Sequence, residues 1–422
     1  MVSDRLCGSE QIEHKMAKNI LISGANFINK GAQAMLFVTV DEIKKRMPGS
    51  NIYFASMGDA DMEGYAFHDV FASDDAKAIA LDRNRITVRY IRFLKDFVKM
   101  LIGRKDNLFR SDELVKQMPS LDLIIDISGY NLGSKWSVQI QESYLDNLRL
   151  AKKYDIPIVL MPQSFGPFDY EADQFFLKDE IANLLPYAKK IYAREKEGYQ
   201  MLKDEFHLRN TELSSDLVLQ NKGIDLKNIF SEPRQFVVPE IKSNAAAIVP
   251  NWQCFKHGNE NDILSIYKRI IEALLDKGKE VYILAHSSDD LDSCKDIFAL
   301  CKSEHLHLLK NDFSCLEYDE LVKRFDFIVC SRYHGAVHAY RNCVPCILLG
   351  WAVKYEELAQ LFEQRKYSFD LTSEDLDISK ITDAIETMCM NGRKESRIIQ
   401  DKLESIRKEN CFDFLSKGSV FS

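Results

Sequence analysis

No run of this chain's 422 residues is apolar for long enough to cross a bilayer. The opening MVSDRLCGSEQIEHKMAKN has no apolar core and does not read as an export signal. Basic residues are not in excess: 56 Lys and Arg stand against 64 Asp and Glu, a net charge of −8, so general nucleic-acid binding is not expected. The two common phosphate-cradling fingerprints, GxGxxG and GxxxxGK(S/T), are missing, and so is HExxH. There is one CxxC, at Cys343 and Cys346, and no second to complete a zinc ribbon. The ten cysteines are scattered, and without an export signal they read as reduced thiols of a cytoplasmic protein. Repeats and low-complexity tracts are also lacking. Hydrophobic residues at 46% and charged residues at 28% then leave an ordinary globular protein, long enough for two domains.

What is present is an alternation of short apolar runs with amphipathic stretches. NILIS at residues 19–23, a polar turn at 24–31, a helix at 32–47 and a strand at 51–57 make a βαβ opening, which implies a parallel sheet. Strands follow at 121–127, 156–161 and 190–193, with helices at 139–154 and 172–185. The alternation resumes with strands at 245–249, 280–285, 305–309, 327–330 and 346–349. Between the halves periodicity fades, and Pro233 and Pro239 interrupt. The expected organisation is a polar lead-in at 1–17, a Rossmann-like domain at 18–222, a linker at 223–244, a second Rossmann-like domain at 245–392, and a charged helix from 393 that can cross back to the first domain. The fold class is α/β, with two domains facing a cleft.

Candidate site residues cluster where strands end, since open α/β sheets bind ligands at the carboxyl ends of their strands. The strongest stretch is DFIVCSRYHGAVHAYRNCVPCILLGW, residues 326–351. Arg332 and His334 lie between a strand and a helix start. The helix end favours anions, Arg grips carboxylate or phosphate by two hydrogen bonds, and His exchanges a proton near neutral pH. Ser331 and Gly335 flank them, and His286 follows another strand of the same half. In the first half, Asn26 and Asn29 follow the first strand. Asp126, Tyr130 and Asn131 follow LDLIIDI, Gln163 follows IPIVLM, and Arg194 opens a helix against the macrodipole. Asp126 is a candidate base, or else a turn ligand.

Two other features stand apart from the strand ends. His334 and His338 share a helix face near the CxxC, but zinc needs about four convergent ligands and the helix axis separates these pairs, so no metal ligand is assigned. Residues 85–105, RITVRYIRFLKDFVKMLIGRK, set Arg85, Arg89, Arg92, Lys95, Lys99, Arg104 and Lys105 against one Asp96. Such a basic amphipathic helix either packs with a solvated basic face or lies on an anionic membrane.

Taken together, GANFINKGAQAM, DISGYNLG, MPQSFGPF, YAREKEG, SSDLVL, SRYHGAVHA and VPCILLGW resemble the polysaccharide pyruvyl transferase family, over about residues 18–390. The resemblance implies a GT-B-like fold, phosphoenolpyruvate as donor substrate with no further cofactor, and a pyruvate ketal formed on a sugar of a surface or capsular polysaccharide. The family's Arg-x-His corresponds to Arg332 and His334, and its later Arg to Arg194. On this reading Arg332, Arg194, Ser331, Gly335 and His286 form the donor side. His334 is the general acid and Asp126 the base, while Asn26, Asn29, Tyr130, Asn131 and Gln163 face the acceptor. Ala25, Phe27 and Ser128-Gly129-Tyr130 depart from the family's more glycine-rich turns. A lipid-linked acceptor, which the family implies, would give the basic helix a membrane to meet. The competing readings are a glycosyltransferase using a nucleotide sugar, with Glu356 or Glu357 on the ribose, and a non-catalytic sugar- or membrane-binding protein.

Overall fold

The computed structural model describes residues 17–58, 61–101, 109–373, 375–417 and 420–421. The first sheet holds β1 (Asn19–Ser23), β2 (Asn51–Ser56), β3 (His68–Phe71), β4 (Leu123–Asp126), β5 (Ile158–Gln163), β6 (Lys190–Ala193) and β7 (Thr211–Leu213), in the order β3-β2-β1-β4-β5-β6-β7. The second holds β8 (Ala245–Val249), β9 (Glu280–Leu284), β10 (Leu306–Leu309), β11 (Phe327–Cys330), β12 (Cys346–Gly350) and β13 (Ser368–Asp370), in the order β10-β9-β8-β11-β12-β13. All these pairings are parallel. Helices cover both faces of a parallel sheet, so central strands are apolar throughout rather than alternating. Every residue of β8, β11 and β12 is accordingly buried.

Each sheet reverses its direction of growth once, between β1 and β4 and between β8 and β11. These reversals open the crevices in which such sheets bind ligands. The two crevices face each other across the domain boundary.

Helix α1 (Lys30–Arg46) holds the two halves together. All positions from Lys30 to Ile43 are buried, so it has no solvent stripe of the kind a surface helix shows. One side lies under the first sheet. The other meets the second half, where Lys30 Nζ pairs with Asp312 at 2.5 Å and Gln33 accepts from the amide of Cys315 at 2.7 Å. One continuous core runs from Ile20 through α1 to Val249 and Leu349.

Three strands were not anticipated from sequence: β3, β7 and β13. They have four, three and three residues and lie at sheet rims, too short for a period of two to register. The last long helix is also larger than expected. It is one 29-residue helix, Ile378–Ile406, started by Asp377, whose carboxylate accepts from the Ser379 amide. Beyond it, Cys411 donates its amide to Gln220 at 2.7 Å and Asp413 pairs with Arg46 at 3.5 Å, bringing the chain back to the first sheet.

Candidate active site

A pocket of about 230 Å³ lies where the two crevices meet. Four loops line it. Gly24, Asn26 and Asn29 follow β1, Ser128 to Asn131 follow β4, Asn251 and Gln253 follow β8, and Arg332, Tyr333 and His334 follow β11. Glycine is required at two of these positions. Gly24 has φ +86°, and a Cβ there would meet Ser128 Oγ at 2.2 Å. A Cβ on Gly31, in the first turn of α1, would strike the His334 ring at 2.1 Å. The α1 backbone of one domain is thus the wall against which His334 of the other lies.

His334 is half-buried, with 13% of its side chain exposed, and its Nε2 stands 3.4 Å from Asp216 of the first domain. That is an ion-pair separation without the geometry of a hydrogen bond. Burial pulls the imidazole pKa below its usual 6.5; Asp216 works against that, while Arg194 and His338 add to it. Burial would raise the Asp216 carboxyl, but His334, Arg194 and the Val218 amide outweigh it and hold the group ionised.

The structure redistributes the expected roles. Arg194 lines the pocket, but most of its guanidinium is engaged. It donates to Glu195 at 3.0 Å, Asp216 at 2.9 Å, Ser164 Oγ at 2.7 Å and the Gly129 carbonyl at 3.3 Å, and it stacks on Tyr333 at 4.1 Å. Four of its five N–H groups are thereby taken, and one on Nη1 remains. Arg332 is half committed: Nε and Nη2 grip Asp290 at 2.8 and 2.6 Å, which leaves Nη1 outside the fork. Asp126 is fully buried, takes bonds from Ser23 Oγ, Asn147 and the Ser128 amide, and does not line the pocket; it is a turn ligand, not a base in contact with substrate. Ser331 also turns away, its hydroxyl 2.6 Å from that of Tyr267. Gly335 lies in the helix Tyr333–Arg341, packed against Cys330 Sγ. Gln163 is buried behind the wall.

The other expected residues do meet at the pocket. Asn26 accepts from the Asn29 amide at 2.8 Å, and Asn29 caps α1 by accepting from Gly31 at 2.9 Å. Tyr130 donates to the Gly166 carbonyl at 2.8 Å, and its ring meets Trp136 edge-on at 5.3 Å, a surface suited to the apolar face of a sugar. Asn131 lines the same wall. His286 is fully buried, and neither ring nitrogen has a hydrogen-bond partner among the described residues. Burial, with His338 and Arg332 nearby, keeps that ring neutral.

Sequence reasoning missed Lys354. It follows β12 as Arg332 follows β11, three residues past the stretch that drew attention. Its Nζ lies 4.7 Å from the Tyr130 ring and 5.2–5.7 Å from those of Trp351, Tyr333 and Tyr355. Among the described residues it has no carboxylate partner. Burial lowers its pKa to about 7, with Arg194 and Arg332 adding repulsion. The helices Tyr333–Arg341 and Val353–Leu361 also begin without a side-chain cap, so their first amides are open toward the same space. A half-free Arg, an unpaired Lys and two open helix ends form an anion site with an ionisable His at its edge.

A second pocket, of about 330 Å³, shares Gly24, Asn26, Ser128 and Asn131 with the first and continues toward Asp74, Lys77 and Ser143. His334 and His338 diverge: His338 Nδ1 is 2.7 Å from Asp319 in the interior. No metal-binding cluster forms among the described residues.

Solved structures with this architecture include the UDP-GlcNAc 2-epimerase from Methanocaldococcus jannaschii, at 12% identity and TM-score 0.52 over 91% of this chain and 99% of that one. A putative UDP-N-acetylglucosamine 2-epimerase from Listeria monocytogenes has 9% identity and TM-score 0.54, over 91% and 90% of the two chains. The glycosyltransferase SnogD from Streptomyces nogalater has 12% identity and TM-score 0.51, over 96% and 99%. At such identities the likeness concerns the fold alone, which is that of GT-B enzymes. No curated protein matches the sequence. The family model for polysaccharide pyruvyl transferases matches residues 29–352, from the cap of α1 to the turn before Lys354, and so spans both domains and nearly every pocket loop described above. The chain belongs to the polysaccharide pyruvyl transferase family.

Proposed function

We propose that this transferase moves the pyruvyl group of phosphoenolpyruvate onto two hydroxyls of one sugar in a surface-polysaccharide repeat unit, forming a ketal and releasing phosphate. The observation that carries the reading is the convergence of Lys354, Arg332 Nη1 and two uncapped helix ends beside His334. Phosphoenolpyruvate brings a carboxylate and a phosphate, and both need cationic partners out of water.

In this mechanism protonated His334 gives its proton to the methylene carbon, leaving an oxocarbenium-like centre at C2. A sugar hydroxyl attacks C2 and its proton returns to the now neutral imidazole. Phosphate departs with the bridging oxygen, the second hydroxyl closes the ring on C2, and its proton leaves with the phosphate. Arg194 acts as a positioning residue: with Asp216 it fixes the wall that carries Tyr333 and His334. Arg332 and Lys354 hold the donor. Asn26, Asn131, Tyr130 and Trp136 face the acceptor sugar, and the second pocket takes the neighbouring residue of a lipid-linked oligosaccharide.

The nucleotide-sugar reading has less to stand on. Glu357 accepts from the Lys196 and Glu197 amides at 2.7 and 3.1 Å, and neither Glu356 nor Glu357 lines the pocket. The test is direct. Phosphoenolpyruvate should raise the melting temperature and release phosphate in the presence of a galactoside, glucoside or mannoside, with a ketal found by mass spectrometry. Stabilisation by nucleotide sugars and not by phosphoenolpyruvate would overturn the proposal.

A further inference from the structure

The surroundings of Lys354 suit it for more than holding an anion. It lines the site pocket and also a smaller one of about 110 Å³, and Tyr130 belongs to both. Four aromatic rings stand round its Nζ: Tyr130 at 4.7 Å, Trp351 at 5.2 Å, and Tyr333 and Tyr355 at 5.7 Å. Among the described charged groups, Arg194, Arg332 and Lys135 repel its proton, and Glu195 favours it. The Glu195 carboxylate already accepts from Ser164 and Arg194. Burial outweighs Glu195 and leaves the amine partly neutral near pH 7. A lysine desolvated among rings and set beside other cations is a nucleophile toward carbonyl carbon, because only the free amine has a lone pair to give.

We infer that Lys354 captures 2-oxo acids such as pyruvate as an imine on its Nζ. The anion site supplies the partners of the acid's carboxylate: Arg332 Nη1 and the open amides of the helices Tyr333–Arg341 and Val353–Leu361. A carboxylate held there keeps the adjacent ketone within the pocket of about 230 Å³ that Lys354 lines. Nζ attacks C2, and one amine hydrogen passes to the carbonyl oxygen. The hydroxyl so formed leaves with the second amine hydrogen as water, and a C=N bond remains. No oxidant or reductant is consumed. Phosphoenolpyruvate has the same carbons and the same carboxylate, but its C2 is an enol ester and not a ketone, so the donor does not condense. Hydrolysis of that donor gives pyruvate, which does, and which blocks the donor site until the imine is hydrolysed. The reactive amine and the carboxylate site stand on the structure alone; the choice of pyruvate among 2-oxo acids rests on the proposed reaction.

Trapping tests the inference on the full chain. The protein is incubated with pyruvate and cyanoborohydride, which reduces imines and spares ketones, then digested and mapped by mass spectrometry. A carboxyethyl group should appear on Lys354 about tenfold or more above any other lysine, since an ordinary lysine of pKa about 10.4 is neutral in only about one molecule in a thousand near pH 7.5. Lys354→Arg, which keeps the charge, should lose that adduct. Should the variant fail to fold, the peptide map of the parent protein decides alone. Acetaldehyde, which has a carbonyl and no carboxylate, should show a smaller preference for Lys354. An adduct spread evenly over the lysines, or undiminished in a folded Lys354→Arg protein, would overturn the inference. Equal preference with acetaldehyde would overturn the assignment to 2-oxo acids. An adduct on Lys354 without phosphate release from phosphoenolpyruvate would leave the reactive lysine standing and remove the proposed reaction; phosphate release with an even spread would do the reverse.

Discussion

His334 and Lys354 make the same demand on pH, and in both it follows from burial. The His334 pKa lies below 6.5, so its acid form grows as pH falls. The proton-donating step should slow as pH rises through that value, and Asp216→Asn, which removes an influence raising the pKa, should shift the limb to lower pH. His334→Gln should lose about 10²–10⁴-fold in kcat while the protein stays folded, as expected for a general acid. A folded variant with full activity would exclude His334 from the chemistry. Lys354 is charged below about pH 7 and neutral above it, so donor affinity should fall as pH rises past 7. Its stability effect has the opposite sign. Its folded pKa lies below the unfolded value of about 10.4, so the unfolded chain holds an extra proton between these values and stability rises with pH across the window. Lys354→Met should therefore raise the melting temperature, most below pH 7 and least near pH 10, while donor affinity is lost. A melting temperature lowered at pH 6 would count against an uncompensated buried ammonium. Neither Lys354 nor the commitments of Arg194 and Arg332 were legible in the sequence. Beyond the neighbouring Glu195, their carboxylates come from Asp216 and Asp290, 22 and 42 residues away, and spacing does not reveal such distant pairs.

Strand ends were readable because apolar runs bounded by Gly, Ser and Asn mark them, and Asn26, Asn29, Tyr130, Asn131, His286, Arg332 and His334 all line the pocket. Which side of a turn a residue takes was not readable. Ser331 and Asp126 stand at the right strand ends and face the interior, where Tyr267 in one case and Ser23 with Asn147 in the other bond their oxygens. For the helix Arg85–Leu101 the amphipathic pattern was plain, but its orientation was not, because periodicity gives two faces without saying which one the protein covers. Arg92 turns to the buried Asp96, and Phe93 is exposed. One element contact has a measurable role. The helix Lys196–Phe206 has no side-chain cap of its own, and Glu357 supplies one from the other domain. Glu357→Ala should cost about 1 kcal/mol, in the range for a lost N-cap, and should loosen the domains, seen as faster proteolysis at the cleft. An unchanged denaturation midpoint would show that water replaces the carboxylate without cost.

At the scale of the molecule, the two sheets with their opposed crevices follow from the alternation of strand and helix that composition and punctuation announce. What joins them does not. A helix buried on every side reads from sequence as an apolar stretch with no periodic face, and α1 shows its partners only once both sheets are in place. That has a consequence for how such a protein can be assembled or diversified. The second half is not an exchangeable cassette, because α1 contributes to the interior of both halves and its Gly31 sets the place of His334. Residues 17–222 made alone should aggregate or bind a hydrophobic dye, and should become soluble when residues 223–422 are made in the same cell. A monomeric, cooperatively melting first half would refute this. Recombination among relatives should then succeed only where α1 and the surface it touches are inherited together, so that the unit of inheritance is the seam and not the domain.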